Sequence, residues 1–584
     1  MLNRLYLHKP LFNNFLKRSI VTKFDTLVDL QEKSCNVHSN NPLFGIKNNN
    51  TFNWVNYDQW DKYINSFRYQ LSSLNNMKND KIAIISNNKI EWSVAAYATY
   101  SLGCIFVPMY ETQSKKDWKY ILNDSKSKTL ICTNLKTYER CKSLNNEIST
   151  LENVLYFDIN DLPENNFNKI YPERSDLATL IYTSGTTGNP KGVQLTHDNI
   201  SENIKSIQNS FTDFSKVSNE NDTSLSFLPW AHCYGQTCEL HSALSAGGRI
   251  AISEGVEHLV DELSIAKPTL LFSVPALFNK IYDGINKNMS ESILKKLLFN
   301  RSLKVSQKIR ENNGNFINNL EYNIYNKVIF SKIKEKLGGN LKFAFVGGAA
   351  TPFEVLNFFE NINVPIIEGY GLTETTPIVT LNSDEYPTRK LGSVGRPLPN
   401  NKVHIFNKNE DGIGEICATG PNIMKGYNLD SDNENVFLYL EGEKYFRTGD
   451  MGYLDDDNNL YIKGRLKEQY KLENGKFVTP GKLEESIILS PFIKQVLIYG
   501  ENREYNIALI VPESDKMIDD HFYLEEINKI LKKKKCKKYE IPKQVLILDK
   551  ELTIADGFLT PKMSIKRQKV IDHYIENINE LYDK

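Results

Sequence analysis

Residues Tyr182-Thr183-Ser184-Gly185-Thr186-Thr187-Gly188-Asn189-Pro190-Lys191-Gly192 bring three glycines, four side-chain hydroxyls beside the tyrosine and one lysine into a short run. Glycines let the backbone bend and approach an anion closely, hydroxyls donate to its oxygens, and Lys191 supplies charge. The chemistry this suits is the holding of phosphates. It is not a Walker loop, which places Gly directly before the lysine and Ser/Thr directly after it, whereas Pro190 and Gly192 flank Lys191 here.

Four further blocks carry reactive types, the first of them where open α/β sheets bind ligands. Gly347-Gly348-Ala349-Ala350 follows the apolar Phe343–Val346 and reads as a strand end with a tight turn on which a nucleobase could lie. Gly369-Tyr370-Gly371-Leu372-Thr373-Glu374-Thr375 follows a second strand, 364–367, and combines an aromatic face, hydroxyls and a carboxylate. Tyr445-Phe446-Arg447-Thr448-Gly449-Asp450 and the later Gly464-Arg465-Leu466-Lys467 add an acid, two arginines and a lysine. Singly, Asp450 reads as a turn residue, Glu374 as a solvated carboxylate and Tyr370 as half-buried core. Their joint occurrence in one order outweighs those readings.

In that order, from about residue 50 to about residue 575, the blocks resemble the adenylate-forming superfamily: acyl-CoA synthetases, luciferases and adenylation domains of peptide synthetases. The resemblance implies a large N-terminal α/β domain of layered sheets followed by a small, mobile α+β C-terminal domain. It implies that Thr183, Ser184, Gly185, Thr186, Thr187, Gly188 and Lys191 hold ATP phosphates, with Gly348, Ala349, Tyr370 and Gly371 around adenine and Thr373 on the α-phosphate. By the same resemblance Asp450 takes the ribose hydroxyls, Arg465 opens the hinge to the small domain beside the nucleotide, and Glu374 with Thr186 holds Mg2+. Lys467 matches the hinge and Lys471 a residue brought in for the second step.

The implied reaction joins a carboxylate to AMP with loss of pyrophosphate, then passes the acyl group to a thiol, with ATP, Mg2+ and coenzyme A required. The block Leu228-Pro229-Trp230-Ala231-His232-Cys233-Tyr234 resembles the acyl pocket, with His232 near the carboxylate and Trp230 at the tunnel's edge. The segments 274–278 and 467–476 resemble long-chain fatty acid CoA ligases more than acetyl or coumarate ones. An acyl carrier protein as acceptor, or a medium-chain or aromatic acid as substrate, stays open. Most members place an adenylation lysine after Gly near the C-terminus, but here the string is Leu559-Thr560-Pro561-Lys562-Met563-Ser564-Ile565-Lys566-Arg567, and an ungapped match on Arg567 puts Ser564 in the lysine's place. In extended chain 562, 564 and 566 share a face, so Lys562 or Lys566 could serve; Lys562 is the slight favourite.

The elements that must position these groups follow from periodicity. Short apolar runs such as Lys81–Ser86 and 269–275 read as buried strands, alternating with helices. Trp92 to Tyr110 splits into a helix, Trp92–Leu102, and a strand, Cys104–Pro108, rather than a membrane span. From 283 to 340 the chain is Lys/Asn-rich with helical spacing, like the helical insertion of long-chain members. The expected division is 1–24, 25–465 and 466–584.

Composition agrees. Lys+Arg and Asp+Glu both number 71 in 584 residues, so no net field draws nucleic acid, and 40% hydrophobic content suits a globular enzyme. Eight cysteines lie without CxxC spacing, which fits reduced thiols in an intracellular compartment; Cys233 and Cys238 near His232 and His241 match no usual zinc signature. Residues 1–24 carry Arg4, Lys9, Lys17, Arg18 and Lys23 and no acid, with Phe12, Phe15, Leu16 and Ile20 at helical spacing, the pattern of a mitochondrial transit peptide. The alternatives are the cytoplasm or the surface of an intracellular membrane. Lys532–Lys538 forms a basic run that reads as a solvated helix face with a possible contact to anionic lipid.

Overall fold

The computed structural model describes residues 20–183, 189–513, 519–553, 556–560 and 564–583. Two large sheets dominate the first three quarters of the chain. One has seven strands, whose centre is the parallel set Leu177–Thr183, Ile105–Met109, Lys81–Ile85 and Thr129–Cys132. The other has nine, with Ile366–Gly371, Phe343–Val346, Leu270–Ser273, Thr223–Ser226 and Arg249–Ile252 parallel and side by side. Strands such as Ile82–Ile85 are apolar at every position because helices or a second sheet cover both faces.

The main core lies between the two sheets. The helix Ile90–Tyr100 is buried at every residue but Glu91, as a helix apolar all round must be. Its Trp92 meets Phe106 of the seven-stranded sheet edge-on and Trp230, while Trp230 also meets Phe44 of the nine-stranded sheet, with centroids 5.1, 5.7 and 5.7 Å apart. Helix and strand here run Ile90–Tyr100 and Ile105–Met109, each shifted slightly from the expected bounds.

The N-terminal boundary expected at residue 25 moves. Val21 N–H donates to Ser245 O at 2.7 Å, and Val21 and Phe24 are buried in the main core. The folded domain therefore includes residues 20–24, because their apolar side chains fill space that nothing else occupies. Residues 1–19 of the expected transit segment lie outside the described residues.

A third, five-stranded sheet includes Gly414–Thr419, Glu443–Leu454 and Leu460–Arg465. The chain then turns at Gly464, whose φ of +128° and approach to Thr479 Cγ2 (2.4 Å from an ideal Cβ) leave no room for a side chain. Beyond it a three-stranded sheet (Ile493–Tyr499, Ile507–Pro512, Gln544–Ile547) and its helices form a separate small core around Tyr470, Ile498, Ile510 and Tyr523. The helix Pro480–Ile487 packs beside the strand Leu460–Arg465, and Lys534 pairs with Glu354 across the two domains.

Candidate active site

Strands Leu177–Thr183 and Lys191–Thr196 pair antiparallel, with Thr183 opposite Lys191, so the described flanks of the run expected to hold phosphates meet at the end of a strand pair. Ser184, Gly185, Thr186, Thr187 and Gly188 lie outside the described residues. Below the hairpin the chain enters the helix His197–Ser210 through a capping box in which Thr196 Oγ1 accepts from Asn199 N–H at 3.1 Å. Lys191 Nζ sits 2.9 Å from Asp432 Oδ1 and 5.1 Å from the centroid of the Tyr427 ring.

Tyr427 links this lysine to the expected metal carboxylate. Its hydroxyl donates to Glu374 Oε1 at 2.8 Å. Glu374 is buried in a single turn, Thr373–Thr375, that several bonds fix: Leu372 N–H donates to Thr375 Oγ1 at 2.8 Å, and Asn422 Nδ2 to Thr375 O at 2.6 Å. Thr373 Oγ1 accepts from Cys233 Sγ at 3.3 Å. Gly371 has to be glycine, because an ideal Cβ there would lie 1.6 Å from Pro377 O.

The strand Ile366–Gly371 carries Tyr370 to the edge of the five-stranded sheet. Tyr370 Oη donates to Asp450 Oδ2 at 2.7 Å, and Arg465 Nε lies 3.4 Å from Asp450 Oδ1. Asp450 faces Arg465 directly across the antiparallel pair of strands. Burial pushes the Asp450 carboxyl above the usual carboxylate range, while Arg465 and Tyr370 pull it back. For Arg465, burial works against the charge, and Asp450 and Glu468 more than offset it. Gly348, at φ +83°, has nothing within 4 Å of an ideal Cβ, so the turn before Ala349 leaves open space beside Tyr370's strand. Tyr370, Gly371, Thr373, Glu374, Asp450 and Arg465 thus come together, with Thr183 and Lys191 tied in through Tyr427.

A small apolar cavity of about 60 Å³ adjoins this cluster. Gly369, next to Tyr370, lines one part of it, and Phe272, Phe345, Tyr234 and Cys238 line its length. Leu270 and Arg249, the first residues of parallel strands, line the other end. Tyr234 and Cys238, four residues apart on one helix face, both line it, within the π-helical segment Tyr234–His241, a rare widening of helix that recurs at functional sites. Tyr234 Oη is anchored to Phe345 O at 2.9 Å, and Phe272 stacks on Phe345 at 5.1 Å.

Trp230 does not stand at a tunnel edge. It is fully buried between Phe44 and Trp92 in the main core, where an indole fills the gap between sheets, and it is not among the cavity's lining residues. His232 is half-buried and its Nδ1 accepts from Tyr234 N–H at 3.2 Å, at the entry to the π-helical segment. Tyr427, Asp432 and Tyr234 were not singled out by sequence reasoning as site residues.

In the small domain, Lys467 is exposed in the single turn Leu466–Glu468, and Lys471 is exposed with Nζ 4.8 Å from the Phe477 ring centroid. Lys562 lies outside the described residues. Among the described residues near it, Thr560 N–H donates to Ser564 O at 2.8 Å and Lys566 N–H to Phe558 O at 2.8 Å. Arg567 has Nη1 2.7 and 2.8 Å from the two Glu484 oxygens and Nη2 2.6 Å from Ile498 O.

Comparison with known proteins agrees with this arrangement. Residues 32–428 match the family model described as AMP-binding enzyme, and residues 467–584 that of the AMP-binding enzyme C-terminal domain. Long-chain-fatty-acid–CoA ligase 5 of Rattus norvegicus is 28% identical over 631 residues, covering 98% of this chain and 90% of that protein. Fatty acyl-CoA synthetase B of Dictyostelium discoideum is 27% identical, covering 97% and 91%. Among solved structures, an anthranilate CoA ligase in complex with anthranoyl-AMP has TM-score 0.73 at 18% identity (94% and 97% covered). The adenylation domain of a carboxylate reductase from Mycobacterium chelonae has TM-score 0.78 at 18% (98% and 93%). With a large N-terminal α/β domain, a small C-terminal domain and a matching model over most of its length, the chain belongs to the AMP-binding enzyme family.

Proposed function

We propose that this protein is a long-chain fatty acid CoA ligase. The observation that carries the reading is continuity: Gly369 lines the apolar cavity, and the next residue, Tyr370, holds Asp450 in the polar cluster. An acyl chain in that cavity would bring its carboxylate to the cluster. Beyond Gly369 the lining is dominated by apolar and aromatic side chains, which suits an alkyl chain.

In the first step a carboxylate oxygen attacks the α-phosphorus of ATP, the bond to the bridging oxygen breaks, and pyrophosphate leaves. Thr373 and Lys191 stand where charge on phosphate oxygens needs donors, and Asp450 and Tyr370 orient the nucleoside. In the second step the thiolate of coenzyme A attacks the acyl carbon and AMP leaves. Lys467 and Lys471 belong to this step on our reading, arriving by rotation of the small domain about Gly464.

Magnesium fits the site. Glu374 is one buried carboxylate with one oxygen engaged by Tyr427, and Mg2+ commonly takes one or two protein carboxylates together with substrate phosphates. When bound, it supplies charge neutralisation at the phosphates. The acid-free, basic composition of residues 1–24 supports a mitochondrial address for the enzyme.

The test is turnover of saturated acids of graded length with ATP, Mg2+ and CoA, reading AMP and acyl-CoA together. Turnover rising toward long chains is expected. Preference for an aromatic acid, or AMP release that ignores CoA in favour of a carrier protein, would overturn the assignment.

A further inference from the structure

Residues 291–336 hold ten Lys/Arg against four Glu, and most of their large apolar side chains face solvent. The helix Ile293–Arg310 buries only Phe299, Ser302, Val305 and Ser306 against the domain. Its outer face presents Ile293 (82% exposed), Leu294 and Leu297. The helix Phe316–Tyr325 buries Asn318 and exposes Phe316 (76%), Leu320 and Ile324 at spacings of four.

The two helices form one surface. Arg301 Nη2 pairs with Glu321 Oε1 at 2.8 Å, and the helices are joined by the short turn 311–315, so they run antiparallel. In that register Leu297 and Leu298 stand opposite Tyr325 and Ile324, and Leu320 and Phe316 follow Ile324 back along the second helix at spacings of four. Lysines 295, 296, 304, 308 and 327 stand in and around it, all of them exposed. Scattered single exposed leucines need no explanation, but a contiguous apolar patch of this extent marks an interaction surface.

We propose that this helical hairpin docks on an anionic lipid bilayer, lying in the interface with its apolar stripe among the acyl chains and its lysines at the headgroups. Charge selects this occupant: an apolar stripe within a strongly basic pair of helices is the composition of an interfacial amphipathic element, whose binding adds buried apolar area to attraction for anionic lipid. Among the described residues no helix is long and apolar enough to cross a membrane, so the hairpin lies on the surface rather than spanning it. The basic run Lys532–Lys538 is a different case. The helix Asp520–Lys533 turns Tyr523, Ile527 and Leu531 into the small domain's core, and Lys534 is engaged by Glu354, which leaves that run without an apolar stripe.

The test is sedimentation of the full chain with phosphatidylcholine vesicles, with and without about a third phosphatidylserine, at physiological salt. The expected result is at least tenfold tighter binding to the anionic vesicles and a further loss when salt is raised, since the Debye length falls from about 8 Å to about 3 Å at 1 M. The triple variant Leu297→Ser, Phe316→Ser, Ile324→Ser should lose about tenfold or more, and Lys295→Gln with Lys304→Gln and Lys308→Gln should lose the preference for anionic lipid. All six positions are exposed and outside the nucleotide cluster, so pyrophosphate exchange with a soluble acid should be unchanged in both variants. Equal vesicle binding by the triple variant and the unaltered chain would overturn the proposal. So would absence of vesicle binding together with a concentration-dependent dimer that the triple variant abolishes, which would make the stripe an interface between two copies.

Discussion

The nucleotide cluster of the large domain and the lysines of the small domain are built in opposite ways. Tyr370 near a strand's end, Glu374 in the turn that follows it and Asp450 inside the strand Glu443–Leu454 are each held by a second side chain from another strand or turn. Lys467 and Lys471 project from a single turn and a two-residue strand, and both are exposed. Groups that recognise a substrate gain from being fixed before it arrives, since no reorganisation is left to be made at the moment of reaction. Groups that serve one step of two gain from being deliverable. The contrast identifies which substitutions should act on both half-reactions and which on one.

The largest effect should come from the fixed side. Glu374→Gln is expected to lower magnesium-dependent pyrophosphate exchange by about a hundredfold to a thousandfold, the scale of losing one preorganised charge contact. Tyr427→Phe removes only the hydroxyl that orients that carboxylate, so a loss of about tenfold is expected, from the roughly 1.5 kcal/mol of a hydrogen bond to a charged group. Full exchange by Glu374→Gln at low magnesium would remove the residue from the site.

On the deliverable side the losses should be smaller and selective. Lys562→Ala should slow adenylation by about tenfold to a hundredfold while leaving thioester formation from preformed acyl-adenylate intact. Arg567 is bound to Ile498 O, and Lys566 N–H to Phe558 O, so the described residues C-terminal to Lys562 belong to the small domain. Selective loss in Lys566→Ala instead would move the role by four residues. Lys467→Pro fixes φ at the hinge turn and should slow thioester formation by about tenfold with adenylation preserved; equal loss in both would show that the turn is not the hinge.

The fixed cluster was legible in the sequence because its members sit in glycine-marked turns after apolar strands, where composition and position coincide. Gly371 is an instance: the same close approach to Pro377 that shapes the turn forbids any other residue. Its partners were not legible. Tyr427 and Glu374 are 53 residues apart, and Lys191 opens a strand while Asp432 lies far along the chain in the turn Asp430–Asn433, so no local spacing records either contact. Trp230 was misplaced for a related reason: beside a functional block an indole reads the same whether it lines a cavity or plugs the core, and only packing against Phe44 and Trp92 distinguishes them. Val21 and Phe24 were missed because a basic arm's composition says nothing of what its last turn covers.

The smallest expected effect concerns the orientation in which the small domain is docked. Glu368, inside the large domain's strand Ile366–Gly371, is raised in part by the charge of Glu485 on the small domain's helix Pro480–Ile487. Burial pushes Glu368 up to about 8 and Glu485 up to about 7, with Lys482 pulling Glu485 back and Glu484 adding to the rise. Separating the domains removes whatever part of this burial the other domain supplies, and lowers both carboxyls toward their ordinary 4.5. Docking then favours the protonated forms: below about pH 4.5 both states are protonated and docking is indifferent to pH, while between there and about pH 8 it weakens as pH rises, by at most about tenfold per unit of pKa difference. Lys463 and Lys482 face the same region and repel each other, which raises neither carboxyl. Energy transfer between dyes on the two domains should therefore report a more populated docked orientation at pH 6 than at pH 9, and Glu485→Gln should flatten that dependence without lowering exchange activity at pH 6. An identical pH response in Glu485→Gln would mean that the two carboxylates do not govern the docking, and the division between fixed and deliverable groups would have to be set by the Gly464 hinge alone.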